Sequence, residues 1–207
     1  MPMPIKKIVF ILFCVSFIGL FNSRIYSAHA DIEDILVSPK TLIDRAIEAR
    51  STADIIKDNE IIIGVNKAMI KLKTYRPSTE IYEQNLIITG LLLNKETHDS
   101  LKQAVNEIPN IKQVYWHADY SSNLNKNLIN QATLEWNEIL ALRTEIKFNL
   151  IRTKGIADVN FRVSVDVMGN AYILGRARSE KERNRVLRVA NNTQGIKKVV
   201  NYIVVRP

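Results

Sequence analysis

The sequence predicts an α+β protein made of two tandem αββαβ domains, each a three-stranded mixed sheet with two helices on one face. Three observations carry this. Residues 86–116 lie over 171–201 without a gap, placing Gly90 on Gly175, Asn106 on Asn191, Ile111 on Ile196, Lys112 on Lys197 and Val114 on Val199. In each copy a two-residue apolar period gives way to a helical one. Each copy then reaches a residue that tolerates left-handed backbone, Asn110 or Gly195, before a last apolar run. The composition, 46% hydrophobic and 24% charged over 207 residues, is that of a globular chain with room for one or two small domains.

The first thirty residues stand apart. Lys6 and Lys7 precede the apolar run Ile8–Phe21, which is short of the roughly 20 residues that span a bilayer. Small residues at Ala28 and Ala30 fit a signal-peptidase site, so 1–30 reads as a signal peptide cut before Asp31, with an uncleaved anchor as the competing reading. Cys14 is the only cysteine and follows Leu12-Phe13, which is no lipidation context. The mature chain then has no disulfide. Residues 31–57 read as a helical lead-in arm, with Ser38 as a candidate cap and Pro39 at the first helical position.

The first domain spans 58–120. A helix over 59–73 precedes a weak strand at Glu80–Glu83 that turns near Gln84-Asn85. The strand 86–93 carries Gly90 at mid-length, where glycine marks a bulge or a close backbone approach. Leu101, Ala104, Val105 and Ile108 give a helix one buried stripe. That helix is expected to stop at Asn110, before the closing strand 111–120. An Asn- and Ser-rich linker follows at 121–132.

The second domain, 133–207, repeats the plan more sharply. A helix over 133–150 leads to Phe161, Val163, Val165 and Val167, which alternate with polar residues. Gly169-Asn170 turns this strand into a second one, 171–178, with Gly175 at mid-length. Val186, Val189, Ala190 and Thr193 repeat the helical stripe, with a stop at Gly195. The strand 196–205 closes the unit. In both copies the sheet face away from the helices is expected to stay more exposed.

These segments, above all NFRVSVDVMGNAYILGRARSEKERNRVLRVANNTQGIKKVVNYIVV (160–205), resemble the BON domain. The alternating strand, Gly turn, apolar-x-Gly strand, polar helix and Gly-Ile-x-x-Val closing strand carry the resemblance. Two such domains behind a signal resemble the dual-BON envelope proteins of Gram-negative bacteria, some of them lipoproteins and some soluble periplasmic proteins linked to osmotic stress. The resemblance implies non-enzymatic binding, with phospholipid surfaces as ligand. Without a lipidation context at Cys14, the soluble branch fits better.

Charge agrees with two unlike units. The chain carries 29 Lys+Arg against 21 Asp+Glu, net +8. The balance is −2 over 31–132 and +7 over 133–207. A basic second unit suits an anionic surface. On the 133–150 helix, Trp136, Leu140, Arg143 and Lys147 share one edge and form a candidate membrane-binding stripe, the competing reading being that Trp136 packs between the domains. Arg176, Arg178, Lys181, Arg185 and Arg188 form a candidate basic patch, with Arg176 and Arg178 on one strand face. Glu180–Arg183 reads as a solvated helix start. The expected partner is an anionic phospholipid membrane surface, with envelope proteins as the other candidate class. No cofactor, metal or nucleic acid is expected. His98 and His117 have no ligand-spaced companions, and no phosphate loop or nucleophile elbow is present.

Overall fold

The computed structural model describes residues 48–74, 77–121 and 133–206. The signal at 1–30, most of the arm at 31–57 with Ser38 and Pro39, and most of the linker at 121–132 lie outside the described residues.

The first repeat runs α1 (Thr52–Lys71), β1 (Ser78–Tyr82), β2 (Asn85–Leu92), α2 (Lys95–Asn106) and β3 (Gln113–Tyr120). The second runs α3 (Trp136–Arg152), β4 (Phe161–Val165), β5 (Asn170–Ala177), α4 (Glu180–Asn191) and β6 (Lys198–Val205). Each forms a three-stranded sheet, in order β1-β2-β3 and β4-β5-β6. The hairpin pair is antiparallel and the closing strand is parallel to the middle one. The register repeats too: Gly90 pairs with Ala118, and Gly175 with Ile203. The expected pair of mixed αββαβ units is therefore present.

Local chemistry sets the boundaries. Ser51 caps α1 by accepting from the Asp54 amide at 3.1 Å, so this helix starts well before residue 59. Glu135 caps α3, and its own amide donates to Glu138 at 2.7 Å, a reciprocal capping box. The helices α2 and α4 end at Asn106 and Asn191, not at Asn110 and Gly195. Asn110 (φ 68°) and Gly195 (φ 93°) do adopt left-handed backbone, but in the turn that feeds the closing strand. The chain needs that turn because a parallel strand must start back at the level where its neighbour starts.

Each repeat has its own helix-to-sheet core. Ile61 and Val65 of α1 pack with Leu86, Ile88, Leu101 and Val105. Ile146 and Leu150 of α3 pack with Val163, Ile173, Val186 and Ala190. The opposite sheet faces are not exposed, contrary to expectation: they pack on each other. Tyr82, Ile87, Tyr172 and Leu174 form a third buried cluster between the sheets, flanked by Tyr115, Val200 and Tyr202. Thr89 and Ser164 share a buried hydrogen bond across it at 2.7 Å. Tyr115 stacks on Tyr202 at 3.8 Å and His117 on Tyr172 at 4.0 Å. A small αββαβ unit buries a modest core alone, and docking sheet on sheet supplies the missing apolar burial. Together the two repeats are layered helix, sheet, sheet, helix.

Candidate functional site

This layering decides which side chains can meet a partner. With the sheets facing inward, the outward broad surfaces are helical. Trp136 is the first residue of α3 and Leu140 lies one turn on, and they are 55% and 48% exposed. Beside them Asn137, Leu140, Ala141, Thr144 and Phe148 line a shallow, mainly apolar hollow along the outer face of α3. Trp136 also lines a cleft of about 510 Å³ between the repeats, with Ser78, Thr89, Leu91, Ile139 and Val165. A tryptophan so placed can enter a lipid headgroup region while its indole N–H stays hydrated.

Arg143 and Lys147 sit on the same stripe but turn toward the first repeat. Arg143 pairs with Glu80 and reaches the Ser78 hydroxyl at 3.4 Å. Lys147 stands 4.0 Å from the same carboxylate. Burial, with Arg143 and Arg162 close by, pulls the Lys147 ammonium down to about 8. These two cations join repeats, and the exposed part of the stripe is Trp136 and Leu140.

The five residues of the basic patch divide similarly. Arg176 lies on the inter-sheet side of β5, where its guanidinium is 3.8 Å from Glu83 of the first repeat and 3.4 Å from the Ala49 carbonyl. Arg178 falls just past β5, which ends at Ala177. Its amide and guanidinium donate to Glu182 at 2.8 and 3.1 Å. Lys181, Arg185 and Arg188 recur along one side of α4, where Lys181 and Arg188 are exposed and Arg185 reaches the Gly155 carbonyl. Helices α3 and α4 touch. The charged stripe therefore lies in the same helical layer as Trp136 and Leu140.

Gly90, Asn110, Gly175 and Gly195 all have positive φ. Gly90 (φ 130°) and Gly175 (φ 151°) occupy matching places in the middle strands. A Cβ on Gly175 would stand 2.0 Å from the Asn160 carbonyl oxygen, so only glycine lets the chain before β4 cross there.

Two carboxylates matter that sequence reasoning missed. Asp58, buried on the inner side of α1, accepts from the Glu83 amide at 3.0 Å, the Gln84 amide at 2.7 Å and Arg50 at 2.9 Å. It thereby holds the β1–β2 turn, where Glu83 and Gln84 both have positive φ. Glu182, in the expected solvated helix start, is buried and also accepts from the Ala157 amide at 2.8 Å. The spacing Ser179-x-x-Glu182 is the sequence signal for it, since Ser179 accepts from the Glu182 amide. Among the described residues no three His, Cys, Asp or Glu side chains cluster as metal ligands.

The class so defined is a duplicated αββαβ module with an apolar and a cationic stripe on its second helical layer. Residues 140–207, within the second repeat, match the family model of the BON domain. A protein of Anaplasma centrale, described as an uncharacterized protein in the gshII 5′ region, is 23% identical over 152 residues. That match covers 72% of this chain and 94% of the relative. Among solved structures, the C-terminal domain of CdsD, the structural protein of the type III secretion system of Chlamydia trachomatis, is 14% identical with a TM-score of 0.32. It covers 76% of this chain and 100% of that one. A second CdsD structure is 15% identical with a TM-score of 0.30, covering 71% and 92%.

Proposed function

We propose that this chain is a non-enzymatic periplasmic protein that supports cell-envelope integrity by binding anionic phospholipid reversibly through its second repeat. The first repeat, with the same topology and register, is on this reading a diverged BON domain. The observation that carries the proposal is the exposed pair Trp136 and Leu140 at the start of α3. Indole favours the boundary between water and acyl chains. The exposed Lys181 and Arg188 of α4 supply the attraction to phosphate, each worth about 1 kcal/mol near an anionic surface. The amino-terminal signal pattern and the BON match support the envelope location.

Liposome co-sedimentation tests this. Binding to anionic vesicles is expected to fall as salt rises, to weaken with Trp136→Ala, and to weaken with Lys181→Glu plus Arg188→Glu. Equal binding to neutral and anionic vesicles, or binding to neither, contradicts it. The competing reading is an envelope protein-interaction scaffold. The docking of the sheets narrows that reading to the edge strands, because the faces cover each other. A partner pulled down undiminished by the two charge reversals would favour it.

A further inference from the structure

Helix α1 is apolar on two opposite sides. Ile61 and Val65 enter the core, and Ile56, Ile63 and Ile70 form a column on the far side, 53%, 53% and 60% exposed. At 100° per residue, Ile63 points about 160° away from both Ile61 and Val65. The spacing of seven keeps the three isoleucines in one line that drifts about 20° per step. Scattered exposed apolar residues need no explanation, but three in one column on a 20-residue helix do.

The charges beside the column say what fits it. Glu60 and Lys67 flank it on the same side and are both exposed. A second α1 laid antiparallel about a two-fold axis at Ile63 puts Ile56 against the other copy's Ile70. It brings Glu60 within one residue of the other copy's Lys67, and Lys67 within one residue of the other Glu60. In a parallel pair about a two-fold axis, the flank carrying Glu60 and Lys67 faces the opposite flank of the other copy, so no Glu60–Lys67 pair forms. The column is therefore complementary to itself in one direction only.

We propose that α1 is a self-association surface, joining two copies of this chain antiparallel through Ile56, Ile63 and Ile70 with crossed Glu60–Lys67 pairs. One column over a helix of about 30 Å is a small contact, so the association is weak and reversible. It involves the first repeat and leaves Trp136, Leu140, Lys181 and Arg188 free, so it stands or falls separately from lipid binding.

Disulfide trapping in the full chain tests it, with Cys14→Ser removing the native thiol. Under mild oxidation Ile63→Cys is expected to give a linked homodimer, because the two positions meet on the axis. Ile56→Cys alone is expected to give none, whereas Ile56→Cys mixed with a differently tagged Ile70→Cys gives the mixed dimer. Adding Glu60→Lys to Ile63→Cys should slow linking about tenfold through like-charge contact, and Lys67→Glu in the same chain should restore it. No dimer from Ile63→Cys overturns the proposal, as when a bilayer or the chain's own amino-terminal segment covers the column. Equal self-linking by Ile56→Cys, or no rescue by the charge swap, overturns it too.

Discussion

Asp58 sits on the buried side of α1 with two backbone amides and a guanidinium aimed at its carboxylate. Replacing it by alanine strands the Glu83 and Gln84 amides inside the protein and leaves Arg50 without this partner. Asp58→Ala should therefore cost about 3–5 kcal/mol in urea unfolding. The repeat hid this residue: the position matching Asp58 in the second copy is Arg143, so comparing copies gave no signal. The second hairpin uses Asp166 instead, which accepts from the Met168 and Asn170 amides at 2.9 Å. Lys147 makes the opposite case. Its ammonium is destabilised by burial in the folded chain, with a pKa of about 8 against an ordinary 10.5. The unfolded chain then holds more protons between those values, so stability rises with pH from about 8 toward 10.5. Lys147→Met should remove that rise and stabilise the protein at neutral pH, as urea midpoints for the two chains at pH 7 and pH 9.5 would show.

The strands and helices were largely legible because their periods differ and each copy checks the other. Gly175 illustrates it. A glycine in the middle of a strand signals a close approach, and the approach is to the Asn160 carbonyl. Gly175→Ala should destabilise by about 3 kcal/mol or more, since backbone rather than a mobile side chain must yield. Calorimetry would show a lowered Tm with an unchanged far-ultraviolet dichroism spectrum at low temperature. The helix ends were less legible. Asn110 and Gly195 announce left-handed backbone without saying whether it caps a helix or lies in the turn beyond. Only the distance α2 and α4 must leave for the parallel return strand decides that, and it is a tertiary constraint.

For the whole molecule, the charge asymmetry has two causes. Part of the excess on the second repeat answers acid on the first: Arg143 and Lys147 face Glu80, and Arg176 and Arg206 face Glu83. Others, among them Lys181 and Arg188, are exposed on the helical side. A sequence reports net charge but not which repeat a guanidinium faces. The docked sheet faces were illegible for a related reason. Tyr82, Tyr115, Tyr172 and Tyr202 alternate along their strands like ordinary wet residues, and only pairing the two copies buries them. His117, at this interface, bonds to the Tyr202 hydroxyl at 2.8 Å, and burial pushes its pKa below the ordinary 6.5, outweighing the nearby Asp166. The folded state disfavours the imidazolium. Its contribution is complete above pH 6.5 and is lost as pH falls through the lowered value. Unfolding followed from pH 7.5 to 4.5 should show a slope that His117→Phe reduces.

Locking the sheets together tests most directly the claim that they pack face to face and leave binding to the helices. Thr89 and Ser164 have hydroxyls 2.7 Å apart across the sheet interface. Thr89→Cys with Ser164→Cys, in a Cys14→Ser chain, should close an intramolecular disulfide on oxidation, and the locked protein should bind anionic vesicles as well as the reduced one. Failure of the bond to form, or loss of vesicle binding once it has formed, would contradict the account.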